Sequence, residues 1–362
     1  WGCDLPSTYQ AVETRCDGLD NDCDGTADEG CLTPLGATDT RVDLGDAATA
    51  ANSVNPFLAG DGGANNVWLT WMDLRVDSRA HTFFSRSTNG GAAWSTATRL
   101  DVANGPTFAP RVAHGGGTNV AVLWGDFRGG TNYREVFRAF SSTTGAGFVG
   151  DAKVNTGPTS TVDSLGVEVA TSGSNVYAVW ESFVTARSRH IHFARSTNGG
   201  NAWSAEVRVS TPSTATFVAA SPRIAAAGNN VYVVWRDNRN GALDIFLRRS
   251  TNGGTSFGSE VRIDTGDAAG SNSSFSPVVA AEGDNVYVAW VDDRDMGAFD
   301  IWVNRSQDGG ATWRASAIRL DMDPFSHDSI APRIVAPQPG VAVVSWIDHR
   351  HGLPDIFAAR TS

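Results

Sequence analysis

Short apolar runs that end in tryptophan recur along this chain. Residues 231–235 and 286–290 are each five consecutive apolar or aromatic side chains, and turn-forming glycine, asparagine and aspartate precede them. Runs of this length that are apolar on both faces are typical of strands covered from both sides. Counting the tryptophan that ends each equivalent run gives six units: Trp71, Trp124, Trp180, Trp235, Trp290 and Trp346.

Each complete unit contains further strand-like segments around this run. In the fourth unit, residues 221–228 precede the run, and residues 244–249 and 260–264 follow it, with turn signals between them. The units repeat about every 55 residues, and repeats of this size built from four short strands are typical of propeller blades. The sequence therefore predicts an all-β, six-bladed β-propeller over residues 40–362.

A turn of fixed composition separates the third and fourth segments of a unit. Serine is followed by asparagine or aspartate, which can bond nearby backbone groups, then by two glycines and an aromatic residue. The full copies span residues 87–94, 196–203, 250–257 and 306–313, and a degenerate copy spans 141–148. This turn resembles the Asp-box (BNR repeat), Ser-x-Asp-x-Gly-x-x-Trp, of the sialidase superfamily. The resemblance implies a sialidase-like propeller whose boxes are structural and lie on the face away from the active site.

The fourth strand of the sixth unit is expected near the N-terminus. Residues 40–48 have the pattern of residues 261–269, which include the fourth strand of the fourth unit. We therefore expect residues 40–45 to pair with residues 355–360 and close the ring. Closure would also protect two sheet edges from aggregation.

Charge and cysteine content indicate an oxidising compartment. The formal net charge is −11, and residues 1–31 contribute much of it, which argues against nucleic-acid binding. No apolar run approaches the length of a membrane helix. The chain opens with Trp1, so we expect that a signal peptide or longer precursor was removed. We predict a secreted or cell-surface protein with two disulfides, whose pairing stays open, among Cys3, Cys16, Cys23 and Cys31.

The cysteines belong to an acidic segment with calcium-ligand spacing. Oxygen-bearing side chains lie at loop positions 1, 3, 5 and 9 from Asp20, and Gly25 lies at position 6. Position 12 is Cys31, where an EF-hand has glutamate. The segment resembles thrombospondin-type calcium loops and a metal-binding motif of bacterial secreted proteins, which implies a structural Ca²⁺ site. Copper or another metal, or an acidic loop held by disulfides alone, are the alternatives. The predicted ligands are Asp17, Asp20, Asp22, Asp24, Asp28 and Glu29.

We divide the chain into a Cys/Asp-rich module (1–31), a linker (32–39) and the propeller (40–362).

Function is sought where the units differ, because a feature shared by every unit is most simply explained by stacking. Five units continue their apolar run as Trp-x-Asp-x-Arg, which predicts ion pairing and turn capping within each hairpin. Tyr177, Tyr232 and Tyr287 occupy one equivalent position and are predicted to be core.

The first strand of each unit varies most. Its aligned position holds, in order, Phe57, Arg111, Glu168, Arg223, Val278 and Arg333. Because this strand lies nearest the axis of a propeller, we expect the three arginines to converge at one mouth of the central channel and bind a ligand. They resemble the arginine of the sialidase Phe/Tyr-Arg-Ile-Pro strand. Proline precedes them here, however, and three equivalent arginines do not reproduce the family's triad.

Catalytic residues are harder to assign. A sialidase needs a tyrosine nucleophile with a glutamate, and an aspartate acid/base. Tyr133, near Glu135, is the remaining tyrosine candidate. Glu168 and Glu181 are candidates for a two-carboxylate glycosidase, because unit 3 departs from the repeat at both. Unit 3 also has His190 and His192, which share a strand face and are weak metal candidates; a surface or inter-blade pair is favoured.

These features favour a non-catalytic extracellular protein that binds a glycan or other anionic surface ligand at the arginine-lined mouth. The alternative is an exo-acting, sialidase-like glycoside hydrolase. A third possibility is a scaffold within a larger surface assembly. A scaffold predicts that acidic groups neutralise Arg111, Arg223 and Arg333 and that no pocket is accessible.

Deletion of residues 40–45 should unfold the whole propeller, because two open sheet edges would replace a closed ring. Thermal unfolding followed by circular dichroism measures this. A truncated chain with the full transition at the original temperature would contradict closure.

Removal of calcium should loosen the Cys/Asp-rich module, which has little apolar content and depends on staples to be ordered. We expect excess EDTA to accelerate proteolysis within residues 1–31, measured by mass spectrometry of timed digests. Equal cleavage rates with EDTA and with added Ca²⁺ would argue against the site.

Overall fold

Antiparallel β-strands make up all of the regular structure in the described part of the chain, and they form six sheets in chain order. The computed structural model describes residues 41–43, 45, 51–63, 65–103, 105–128, 133–156, 163–185, 188–211, 218–295, 298–322 and 327–361. The chain separates into two compact units, Trp1–Val42 and Asp43–Ser362, and the second contains every described strand. The predicted Cys/Asp-rich module lies outside the described residues.

The first three sheets are β1 Ser53–Gly60, β2 Val67–Asp73, β3 His81–Ser87 and β4 Thr98–Arg99; β5 Thr107–His114, β6 Val120–Asp126, β7 Glu135–Ser141 and β8 Val149–Lys153; and β9 Asp163–Ser172, β10 Asn175–Thr185, β11 Ser188–Ser196 and β12 Val207–Arg208. The last three are β13 Ala219–Ala227, β14 Asn230–Asp237, β15 Asp244–Ser250 and β16 Glu260–Arg262; β17 Ser274–Glu282, β18 Asn285–Asp292, β19 Asp300–Ser306 and β20 Ile318–Arg319; and β21 Ser329–Gln338, β22 Val341–His351 and β23 Leu353–Thr361.

Each sheet is a blade whose strands follow one another in sequence, which confirms the six-bladed β-propeller. The first five blades have four strands, and the sixth has three among the described residues. The described residues contain no helix long and apolar enough to cross a bilayer.

The hydrophobic core lies between neighbouring blades. One cluster joins Tyr177 and Phe193 of blade 3 to Val233 and Trp235 of blade 4, and comparable clusters join blades 1 to 2, 2 to 3, 4 to 5 and 5 to 6. The second strands of blades 2 to 5 are therefore covered on both faces, as their apolar runs predict. Tyr177 and Tyr232 are buried in these clusters, and Tyr287 is buried at the equivalent position of blade 5, as expected.

Closure by residues 40–45 stays a prediction. No strand is assigned to residues 41–43 or 45. Asp43 nevertheless accepts a hydrogen bond from Ser53 Oγ at 2.7 Å, and its carbonyl accepts one from Arg75 Nη2 at 2.9 Å. Asp264 makes the equivalent contacts with Ser274 (2.8 Å) and Arg294 (3.3 Å). Asp43 thus takes the place before blade 1 that Asp264 takes before blade 5.

The face of blade 6 that points away from blade 5 is not covered by any described residue. Ile356 is 76% exposed, whereas the equivalent Ile245 and Ile301 are fully buried. No core cluster of the described residues joins blade 6 to blade 1, in contrast to every other pair of sequential neighbours.

The serine-containing turns follow the third strand and pack onto the preceding blade. In blade 4, Ser250 Oγ accepts from Gly254 N–H at 2.9 Å, and Phe257 contacts Phe193 of blade 3 edge-on at 4.9 Å between ring centroids. A Cβ at Gly254 would lie 2.5 Å from the Phe193 ring, and its φ is +75°. Both the close approach and the backbone angle therefore require glycine.

A tryptophan, an aspartate and an arginine clamp the end of the second strand in five blades. In blade 5, the Trp290 indole N–H donates to Asp292 Oδ2 at 2.9 Å, and Arg294 Nη2 lies 2.7 Å from the same oxygen. Asp292 also accepts from the Arg294 backbone N–H at 3.0 Å, which caps the turn. Burial alone would raise the pKa of Asp292, but the hydrogen bonds from Arg294 and Trp290 outweigh it and lower that pKa. The carboxylate of the predicted ion pair therefore also accepts the hydrogen bond of the buried indole N–H.

Blade 3 lacks this clamp. Ser182 stands where the other blades have aspartate, and the Trp180 indole N–H has no hydrogen-bond partner among the described residues. Ser164 Oγ, whose equivalent Ser274 donates to the blade-5 carboxylate at 2.8 Å, is likewise buried without a described partner.

Replacing Asp292 with alanine should destabilise the protein by about 3–5 kcal/mol, because it leaves a buried guanidinium and indole unpaired. The free energy of unfolding from urea titration measures this. Ser182→Ala is the matched control, since blade 3 has no clamp to lose, and we expect it to cost about 1 kcal/mol or less. Equal losses in the two variants would show that the clamp is not what stabilises the blade.

Candidate functional site

A β-bulge interrupts the first strand of every blade. In blade 4 the register passes from Ala220 opposite Arg236 to Arg223 opposite Val234, so that two residues of β13 face one tryptophan of β14. The same shift recurs in the other five blades. A bulge bends its strand and re-aims the side chain that follows it.

The first bulge residue has a left-handed backbone. Its φ lies between 46° and 59° in all six blades: Asn55, Ala109, Gly166, Ser221, Ser276 and Ala331. Only blade 3 uses glycine, and in the other five blades proline follows. A left-handed non-glycine residue costs about 1–2 kcal/mol, and such strain concentrates at functional sites.

The residue after each bulge lines one central cavity of about 670 Å³. Its wall includes all six predicted channel positions: Phe57, Arg111, Glu168, Arg223, Val278 and Arg333. The structure therefore brings the three predicted arginines together, with apolar walls from Ile224, Val279 and Ile334.

Glu168 is the acidic partner of two of these arginines. Arg111 binds it bidentately, with Nε–Oε2 at 3.0 Å and Nη2–Oε1 at 2.8 Å, and also stacks on Phe57 at 4.8 Å. Arg223 Nη1 lies 3.3 Å from Glu168 Oε1. The structure gives Arg333 no carboxylate partner among the described residues.

The proline before each arginine orients it. Arg111, Arg223 and Arg333 each donate from Nη1 to the carbonyl of that proline at 3.0 Å. In the sequence this proline is only a departure from the sialidase strand, and its contact with the guanidinium group is visible only in the structure. The signal was the recurrence of Pro-Arg in three alternate blades.

The cavity wall carries a net positive charge. Guanidinium groups stay protonated at any physiological pH, and among the described lining residues one carboxylate faces three of them. Complete neutralisation, which a pure scaffold predicts, is not what the described residues show. The cavity is therefore suited to a ligand that carries an anionic group beside an apolar surface.

The catalytic candidates are separated. Glu168 lines the cavity, but Glu181 does not; it binds Arg189 at 2.9 Å and accepts from Ser221 N–H at 3.3 Å. Tyr133 is 37% exposed and also lies outside the lining. Its neighbour Glu135 is bound to Lys153 at 2.5 Å. Among the residues that the structure describes, neither the tyrosine–glutamate pair nor a pair of carboxylates is assembled in this cavity.

The two histidines of blade 3 lie on a buried strand. Burial, followed by repulsion from Arg208 and His192, lowers the pKa of His190 to about 4. His192 Nδ1 lies 3.6 Å from Glu206. No cluster of three histidine, cysteine or acidic side chains in the described ranges is placed to hold a metal. The acidic ligands predicted between residues 17 and 29 are outside those ranges.

Solved structures of known proteins share this fold. No protein-family model matches the sequence, and no curated protein matches it. The GH93 α-L-arabinofuranosidase of Fusarium graminearum is 13% identical, with a TM-score of 0.52 over 86% of this chain and 94% of that chain. The Hadza microbial sialidase Hz136 is 14% identical, with a TM-score of 0.50 over 85% of this chain and 65% of that one. A protein of unknown function from Dyadobacter fermentans is 13% identical, with a TM-score of 0.52. These likenesses show a sialidase-like propeller fold.

Proposed function

We propose that the protein binds an anionic group of a glycan at the mouth of the central channel without cleaving it. The observation that carries the proposal is the convergence of Arg111, Arg223 and Arg333 on one cavity, in which Glu168 is the single carboxylate among the described lining residues. Charge-assisted bonds from arginine to a carboxylate are about twice as strong as neutral hydrogen bonds and fix orientation.

The apolar wall supports a glycan as the carrier of that anion. Phe57, Val278 and Ile334 lie between the charged positions and could contact the carbon face of a sugar ring. Ligand sites of this kind combine an apolar lining with a few fixed polar groups. The resemblance of the serine turns to Asp-boxes supports the same ligand class.

Glycoside hydrolysis is the second candidate. It is favoured by the presence of Glu168 in the cavity and by structural neighbours whose names describe a sialidase and an arabinofuranosidase. Against it, Arg111 binds both oxygens of the Glu168 carboxylate, so that this group is already engaged in an ion pair within the protein. A second catalytic carboxylate would have to come from outside the described lining.

We further propose that the protein is extracellular, carries two disulfides and holds a structural Ca²⁺ within residues 1–31. Membership of a larger surface assembly is a compatible role. These proposals rest on the cysteine and aspartate spacing alone.

A panel of sialylated, uronic-acid-containing and neutral oligosaccharides distinguishes the two functions. We expect retention of acidic glycans on the immobilised protein and unchanged masses after long incubation. Arg333→Ala should weaken retention about tenfold or more, because it removes a charge-assisted pair. Arg314→Ala, on the exposed blade-5 turn, is the matched control and should have no effect.

A product that appears with wild-type protein and disappears in Glu168→Gln would instead establish a glycosidase. Tyr133→Phe should change neither result, since Tyr133 lies outside the cavity. Retention that is equal for acidic and neutral glycans would contradict the anionic-ligand proposal.

A further inference from the structure

We propose that the carbonyl groups of Pro222 and Pro332 hold the guanidinium groups of Arg223 and Arg333 in an orientation suited to binding a carboxylate. In each arginine the Nε and Nη2 edge, called the fork below, would bind the two carboxylate oxygens. The inference rests on the proposed function and goes beyond it, since it assigns the chemical class of the anion and the atoms that hold it.

Arg111 and Glu168 are an internal template for such a fork. One edge of the Arg111 guanidinium is tied down, because Nη1 donates to Pro110 O at 3.0 Å. The opposite edge, Nε and Nη2, binds both oxygens of Glu168 at 3.0 and 2.8 Å. The protein itself thus shows a carboxylate in the fork that this posture creates.

The guanidinium groups of Arg223 and Arg333 are held in the same orientation as that of Arg111. Each donates from Nη1 to its own proline carbonyl at 3.0 Å. Their Nε and Nη2 groups make no hydrogen bond with any residue that the structure describes. Both side chains line the cavity, so a carboxylate that enters it can take the place that Glu168 takes at Arg111.

The bulge explains why the posture repeats. A left-handed residue, Ser221 or Ala331, precedes a proline whose φ is fixed by its ring, and together they aim the proline carbonyl at the following guanidinium. A guanidinium held in advance loses less freedom when it binds, which increases affinity.

The bulge itself belongs to the fold, since blades 1 and 5 have it with Phe57 and Val278 in the arginine position. In blades 4 and 6 it has a second consequence, which is the orientation of the arginine. Blade 5 therefore supplies a matched control, because loosening its bulge disturbs the same backbone without an arginine to misplace.

The first experiment is a titration with acetate, at constant ionic strength against chloride, followed by the arginine Nε–Hε NMR signals. Single Arg→Lys variants assign the three signals. We expect acetate to shift Arg223 and Arg333 but not Arg111, whose fork Glu168 fills. In Glu168→Gln, Arg111 should respond as well. Equal responses of all three arginines in the wild-type protein, or none at Arg223 and Arg333, would overturn the inference.

The second experiment loosens one bulge at a time. Ala331→Gly/Pro332→Ala should weaken acetate binding at Arg333 about three- to tenfold, as expected when a preset group becomes mobile. It should also speed hydrogen exchange of the Arg333 Nη1–H, the group that donates to Pro332 O, in the ligand-free protein. Ser276→Gly/Pro277→Ala in blade 5 should leave the acetate affinity and the exchange rate at Arg333 unchanged. It should shift the melting temperature by the same amount as the blade-6 variant does. Ala331→Gly alone is the milder variant if the double change prevents folding.

Unchanged exchange and affinity at Arg333 in a folded blade-6 variant would show that the bulge does not position the arginine. The experiments also distinguish failure of this inference from failure of the proposed function. If acidic glycans bind but acetate leaves Arg223 and Arg333 unmoved, the fork assignment is wrong and the function stands. If acetate binds at both forks but no acidic glycan does, the forks stand and the glycan does not.

Discussion

The buried tryptophan at the end of each second strand is the constraint on which the blade depends. In blades 2 to 6 it packs into the core against the preceding blade. Its indole N–H must find an acceptor away from water, because an unsatisfied buried donor costs about 1–3 kcal/mol. In five blades the aspartate two residues later lies on the same strand face and accepts it. That aspartate needs its own counter-charge, and the arginine two residues further supplies it while the turn closes. One apolar side chain thus accounts for a sequence motif, an ion pair and a turn.

The same tryptophan faces the bulge in the neighbouring first strand. The bulge accommodates two residues opposite one and re-aims the next side chain toward the axis. Because the bulge is set by the fold, the residue after it is free to differ from blade to blade. Six equivalent positions therefore hold arginine, glutamate, phenylalanine and valine, and a repeating scaffold acquires an asymmetric site.

Repulsion between the three converging guanidinium groups costs free energy, and the carboxylate of Glu168 offsets only part of it. Three guanidinium groups face one cavity, and Glu168 compensates Arg111 fully and Arg223 in part. Arg333 keeps a carbonyl as its described partner. The remaining positive potential favours an anion, and it explains why the arginines are anchored by backbone carbonyl groups that cannot move away.

The sequence by itself determined the repeat, the number of blades and the residues that face the axis, because strand periodicity and turn composition are local properties. It also identified Arg111, Arg223 and Arg333 as a converging set, since equivalent positions of a ring must face its centre. Only the tertiary structure decided that Glu168 belongs to Arg111, that Glu181 and Tyr133 lie outside the cavity, and that proline carbonyls hold the guanidinium groups. The Arg111–Glu168 contact joins atoms of different blades, and no sequence spacing reveals it. The proline contacts leave a recurring Pro-Arg pair in the sequence, but their geometry depends on a left-handed backbone angle that only the structure shows.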